Sequence, residues 1–448
     1  MTQEEALGIL KLGHNVYLTG PAGSGKTFLL NKYVEYLKGK GKGVGITAST
    51  GIAATHIGGI TVHSWSGLGI KDELSREYIG KLLKRGYIKK RFENAGVLVI
   101  DEVSMLSNIQ FDLLNKICQI FRNSFRPFGG MQIVCSGDFF QLPPIGRNGE
   151  DARFITQSEI WKEMDIKVCY LEEQHRQEKE EKLFALLNNI RGNEVEKAKE
   201  FLKNILFKKE VSDTVKLYTH NTDVDAINNM ELSKINEPAF GYNMKLKGNS
   251  KIVDILKSGC LAPEKLILKT GAKVMFVKNN FDEGYINGTL GTVEGFNGVK
   301  MPIIRTFSGR LIEPEPAVWM IEEDDSIKAE IKQIPLRLAW AITVHKSQGM
   351  NLDSAEIDLS KCFVEGMGYV ALSRLRSLKG LNLLGANEMA FKINEKVFEM
   401  DKELKEMSES AAAELRQLPA EERKKEEKKF LAKLPPFGFS KPHKRARI

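Results

Sequence analysis

Residues 20–27 read GPAGSGKT, a glycine followed after four residues by Gly-Lys-Thr. These residue types at this spacing suit a phosphate. Gly23 and Gly25, with Ser24 between them, let backbone N–H groups close around phosphate oxygens, helped by the positive end of a helix starting there. Lys26 can reach the β- and γ-phosphates, and the Thr27 hydroxyl can ligate Mg2+. A second group follows in VLVIDE (97–102), where four apolar residues lead to Asp101 and Glu102. Asp101 is expected to hold Mg2+ through water, and Glu102 to orient or deprotonate an attacking water. Paired acids after a strand also occur simply as helix-start residues. With the phosphate loop upstream, the catalytic reading is preferred, and the chain is expected to bind a nucleoside triphosphate.

A third stretch, GDFFQLPP (137–144), follows the apolar run MQIVCS. Proline cannot continue a strand ladder, so the chain leaves its sheet here. If this strand neighbours VLVID, Gln141 arrives near the terminal phosphate, where an amide can hydrogen-bond the γ-phosphate or the attacking water. Phe139, Phe140 and the stiff Pro143–Pro144 pair would carry the change across the domain face. The competing reading buries both phenylalanines in a core.

The elements that must position these residues alternate in the first half. NVYLT (15–19), VGITA (44–48), VLVID (97–101) and MQIVCSGD (131–138) read as strands of a parallel sheet covered by helices. After Ser107, the residues Ile109, Leu113, Ile117 and Phe121 recur at helical spacing and predict a helix packed on that sheet. A second α/β pattern starts near KVCYLEE (167–173) and VKLYTHN (215–221) and resumes with LAWAIT (338–343), AEIDL (355–359) and LNLLG (381–385). Between its parts lie short strands and Gly, Asn and Pro turns, the pattern of a small inserted antiparallel barrel. Beyond Asn387 the mixed-charge segments read mostly as a solvated helical face.

At 448 residues, with 42% hydrophobic and 28% charged, the chain has the composition of a soluble protein of more than one domain. No run reaches the roughly 18 apolar residues of a membrane span, and no secretory signal opens the chain. Five scattered cysteines lack metal spacing and suit a reducing compartment. A net charge of +8 is compatible with a polyanionic partner without requiring one. The basic segment KPHKRARI reads as a solvated tail in preference to a specific contact site.

The order GPAGSGKT, ASTGIAATHIGGITVHSW (48–65), VLVIDEVSML (97–106), GDFFQLPP, LEEQHRQ (171–177), AITVHKSQG (341–349) and YVALSRLRS (369–377) resembles superfamily 1B helicases. Within them it is most similar to the PIF-one (petite integration frequency) DNA helicases, from Gln3 to about Gly385. The resemblance implies an α/β fold of two RecA-like P-loop NTPase domains, with an SH3-like β-barrel inserted in the second. The expected boundaries are 1–166 for the first domain, with a small wedge at about 66–92, then 167–240 and 336–386 for the second. The barrel takes 241–335, and a C-terminal helical region with a basic tail takes 387–448.

It further implies ATP in the cleft between the two domains, with Arg176 and Arg374 reaching the γ-phosphate from the second. Gln348 is a further nucleotide contact. Gln3 corresponds to a glutamine that reads adenine, although TQEEA also suits an exposed helix start. Single-stranded DNA would be held by Thr50, His63, Ser64 and Trp65 in the first domain and by Thr343, His345, Lys346 and Ser347 in the second. For His63 and Trp65 a packed core position is the alternative. The implied activity is ATP-dependent 5′-to-3′ DNA unwinding in repair, replication or telomere maintenance, by a basically monomeric, cytoplasmic protein of bacterial or phage kind. The rival is an ATP-switched nucleic-acid binder that does not separate strands.

Overall fold

Every pairing in the sheet that carries the phosphate loop is parallel, and its order explains why the motifs converge. In the computed structural model the strands run Ile60–Thr61, Val44–Ala48, Val97–Asp101, Gln132–Ser136, Asn15–Thr19, Ile166–Tyr170. The strand leading into GDFFQLPP therefore lies between the phosphate-loop strand and the acid strand. Val97–Asp101 and Gln132–Ser136 are buried at every position, as central strands covered on both faces must be. The structure describes the chain except residues 70–72, 145–152, 173–180, 204–214, 249, 279, 281, 286–287, 308, 324–325, 349–351, 353 and 437–448.

Two compact units are present. The first comprises Met1–Phe139, Pro143–His175 and Glu399–Ile448; the second comprises Phe140–Leu142 and Arg176–Phe398. The expected boundary at residue 166 is corrected, because Ile166–Tyr170 pairs with Asn15–Thr19 and closes the first sheet. The C-terminal region is corrected as well. Helix Glu395–Gln417 turns Ala411 and Leu415 into the core beneath the first sheet, beside Leu10, Leu30 and Leu37, and Leu434 joins them. Polar ties reinforce this packing: Arg416 Nε donates to Glu5 Oε1 at 2.7 Å and Lys167 Nζ to Glu414 Oε2 at 2.8 Å. The following helix, Ala420–Lys433, has no fully buried residue and is largely solvated, although Phe430 and Leu431 pack against the same core.

The helix expected after Ser107 is Asn108–Arg122, started by a reciprocal Ser107–Gln110 capping box. Its buried face differs from the expected one. Phe111, Leu114 and Cys118 join Leu113 and Ile117 in the core, while Ile109 is exposed. The segment expected to form a wedge contains two short helices, Arg76–Leu83 and Gly86–Asn94. Phe92 from the second packs edge-on against Trp65 at 4.7 Å and stacks on Phe121 at 4.6 Å.

In the second unit, four parallel strands run in the order Ala341–Thr343, Val215–Tyr218, Ala355–Leu359, Leu381–Ala386. The insertion is antiparallel throughout but spread over three sheets. The largest holds Leu311–Ile312, Pro302–Thr306, Leu290–Phe296, Lys273–Phe276 and Leu336–Leu338, around a core that includes Val274, Phe276, Val293 and Ile304. Leu336–Leu338 thus belongs to the insertion, which runs past the expected end at 335. Helix Ser250–Gly259 is an element that the strand-and-turn reading lacks. Among the described residues no helix is long and apolar enough to cross a membrane.

Candidate active site and nucleic-acid face

In the first unit, strand Asn15–Thr19 delivers the phosphate loop and helix Lys26–Gly39 leaves it. Gly20, Gly23 and Gly25 have φ of 141°, 90° and 86°, conformations that side chains rarely adopt. A Cβ on Gly20 would also lie 2.4 Å from the Leu171 carbonyl oxygen. The loop is therefore built from backbone, as a phosphate cradle requires. Lys26 Nζ donates to the carbonyls of Gly20 at 2.7 Å and Pro21 at 3.0 Å, which keeps the ammonium over the loop. Thr27 is exposed and Ser24 is buried. Gln3 begins helix Gln3–Lys11, capped by Thr2, and its Nε2 donates to the Ser24 carbonyl at 3.4 Å. Gln3 thus starts a helix, as one reading expects, and its side chain also touches the phosphate loop.

Asp101 is buried at the end of the acid strand and accepts the Glu102 N–H at 2.9 Å. Burial pushes its carboxyl pKa up, and the nearby Lys26 ammonium pulls it back. A buried carboxylate facing a lysine and a phosphate loop suits a divalent cation. Glu102 has φ 53° and ψ 44°, left-handed values that cost a non-glycine residue energy and turn the chain sharply out of the strand. Ser49 holds that turn: its N–H donates to the Asp101 carbonyl at 3.0 Å and its Oγ to the Glu102 carbonyl at 2.6 Å. Sequence reasoning missed Ser49 as a positioning residue, although it directly precedes the singled-out Thr50.

The DNA candidates of the first unit divide. The Thr50 hydroxyl accepts the Ala53 N–H at 3.2 Å and starts helix Gly51–His56. His63 is half-buried and Ser64 exposed. Trp65 is corrected to the core alternative. Its indole is buried against Phe92 and lies over Gly45, where even a Cβ would approach it to 2.7 Å.

In GDFFQLPP both phenylalanines are buried, as the core reading expects, but in two different units. Phe139 packs in the first unit on Tyr17 at 5.1 Å and Phe154 at 5.0 Å. Phe140, Gln141 and Leu142 belong to the second unit. There the Arg191 guanidinium lies 3.8 Å from the Phe140 ring centroid and its Nη1 donates to the Tyr369 hydroxyl at 3.0 Å. Buried Gln141 accepts from Gln348 Nε2 at 3.4 Å. Gly366, at φ 80°, lets the chain pass close to this segment, since a Cβ there would meet the Phe140 carbonyl oxygen at 2.8 Å.

Also in the second unit, Arg374 is buried, donating from Nε to the Val370 carbonyl at 3.0 Å and from Nη2 to Ser373 Oγ at 2.8 Å. Thr343 and Ser347 are buried, and Ser347 Oγ donates to the Val344 carbonyl at 2.7 Å. The expected hydroxyl contacts of these two residues with a DNA backbone are therefore corrected: Thr343 is buried, and the Ser347 hydroxyl serves the turn itself. His345 is half-buried, and burial lowers its imidazole pKa. Arg176 and the side chain of Lys346 lie outside the described residues.

Comparison with known proteins agrees with this geometry. The PIF1-like helicase family model matches residues 5–206, and the model for the 2B domain of the DNA helicase Pif1 matches residues 252–296. The ATP-dependent DNA helicase Pif1 of a Psychrobacter species is 42% identical, over 91% of this chain and 71% of that protein. The crystal structure of Pif1 helicase from Candida albicans matches with a TM-score of 0.81 at 33% identity, covering 90% of this chain and 98% of that one. A Bacteroides Pif1 helicase crystallised with ADP-AlF3 and single-stranded DNA matches with a TM-score of 0.70 at 29% identity, covering 90% and 96%. With the motifs, the two parallel sheets and the antiparallel insertion all in agreement, the chain belongs to the PIF1-like helicase family.

Proposed function

We propose that this chain is an ATP-dependent DNA helicase that moves 5′ to 3′ along single-stranded DNA and opens tailed or structured duplexes. Gly23, Ser24, Gly25 and Lys26 bind the phosphates, and Gln3 and Gln348 are further nucleotide contacts. Glu102 orients or deprotonates the attacking water. Arg374, with Arg176 by its motif, stabilises charge on the γ-phosphate. Thr27 and Asp101 would hold Mg2+, which neutralises phosphate charge during transfer. Among the described residues no cluster of three His, Cys, Asp or Glu side chains could hold a metal. A cation shared with substrate phosphates fits that donor set. Thr50, His63, Ser64, His345 and Lys346 are the proposed DNA contacts, with Ser347 supporting the turn that presents the last two.

One observation carries the coupling of hydrolysis to motion. The strand between the phosphate loop and the acids runs directly into Phe140–Leu142, a three-residue piece of the second unit. A change sensed at Gln141 is thus felt within the unit that also holds His345.

The test is ATP-driven unwinding of two duplexes, one with a 5′ tail and one with a 3′ tail, with Lys26→Ala as control. Opening of the 5′-tailed duplex alone is expected. Hydrolysis stimulated by single-stranded DNA without opening of either duplex would make the chain an ATP-switched binder. Opening of the 3′-tailed duplex alone would overturn the polarity.

A further inference from the structure

Three rings meet at the carboxyl edge of the second unit's parallel sheet. Val215–Tyr218 is soon followed by His220, Ala341–Thr343 by His345, and Ala355–Leu359 by Phe363. These strands are immediate neighbours, with Val215–Tyr218 in the middle. The ring centroids of His220 and Phe363 are 4.8 Å apart at 41°, and those of His345 and Phe363 are 6.2 Å apart at 26°. Phe363 is nevertheless 52% exposed.

A half-exposed phenylalanine contributes little to a core, and singly exposed apolar residues are ordinary. What is unusual here is its support. Imidazoles from two other strand ends brace the ring, and the Thr219 hydroxyl, 2.8 Å from His220 Nδ1, fixes one of them. Burial keeps the other imidazole, His345, towards its neutral form. The result is a braced, half-exposed phenyl ring at the edge where open α/β sheets bind their ligands. One ring offers too little area for an apolar protein interface, which needs a contiguous patch. It matches the face of a single nucleobase.

We propose that Phe363, braced by His220 and His345, is a stacking platform for one base of single-stranded DNA. The proposal rests on the helicase reading and adds to its backbone contacts a grip on the base itself. Because every base has a π-face, the grip does not depend on sequence. Neither Phe363 nor His220 belongs to the motifs that carry the phosphate chemistry.

The test compares two strands of equal length, an oligothymidylate and an abasic oligonucleotide, by fluorescence anisotropy with the full chain. Phe363→Leu should weaken oligothymidylate binding about 10-fold, within the range of lost base–aromatic stacking, and leave abasic binding unchanged. Phe363→Trp should retain binding. Thermal melting checks each variant, and Phe363→Met, similar in volume but without a ring, replaces a leucine variant that fails to fold. Unchanged oligothymidylate binding, or equal loss on both strands, would overturn the platform while leaving the helicase reading intact. If the unaltered protein binds neither strand, the helicase reading fails and the platform with it.

Discussion

The two parallel sheets use the same edge for different chemistry. In the first, strand ends deliver glycines with positive φ, an ammonium and two carboxylates, one of them buried. In the second, they deliver two imidazoles and a phenyl ring. The aromatic residues make the contrast sharper. Trp65 is sealed in the first unit's core, whereas Phe363 faces solvent on the second. A strand end is a place to put a ligand group, and the residue types there decide whether the ligand is broken or held.

The largest test of that division is Lys26→Ala. Hydrolysis should fall by on the order of 100- to 1000-fold, the usual loss of a preorganised donor, while single-stranded DNA affinity stays close to that of the unaltered protein. A comparable loss of DNA binding in an anisotropy titration would break the comparison. Trp65→Ala should cost about 3–5 kcal/mol in denaturant unfolding, as an emptied aromatic core site does. Weakened DNA binding in a fully stable Trp65→Ala protein would put this residue on the same footing as Phe363.

Gln141→Ala addresses the link between the two chemistries. An allosteric coupling typically changes affinity about 5- to 150-fold, and this variant should reduce the response of DNA affinity to a triphosphate analogue to about threefold or less. A normal response would show that Gln141 carries no signal. The smallest effect is a pH dependence. His345 has a folded pKa below its ordinary 6.5, so the unfolded chain takes up a proton before the folded one does. The stability this residue contributes at neutral pH should decline as pH falls below 6.5. The fall in melting temperature between about pH 7.5 and about pH 5.5 should be smaller in His345→Gln than in the unaltered protein.

Local signals were the legible ones. The phosphate loop, the acid strand and the strand before GDFFQLPP could each be read because their chemistry is contiguous in the chain. Helix Asn108–Arg122 could be read as a helix, but its face could not. Ile109 and Phe111 are both apolar, and only the packed partners decide that Phe111 goes in. Ile166–Tyr170 looked like the start of a new domain because sheet order is a long-range property that an edge strand does not announce. The burial of Val397, Leu404, Ala411 and Leu415 was legible in part, since they recur on one face at helical spacing, but the surrounding Lys and Glu masked them. Phe363 and His220 left no local signal, because their grouping exists only once three strands stand side by side.

The return of the chain to its first unit at Glu399 sets an order of manufacture. A ribosome releases the phosphate loop and most of its sheet early, then the whole second unit, and only then the residues Ala411, Leu415 and Leu434 that seal the first core. Domains usually fold as they emerge, N-terminal first. Here part of the first core stays uncovered until Leu434 has been made, so the newborn ATPase half carries exposed apolar surface through the whole synthesis of the second unit.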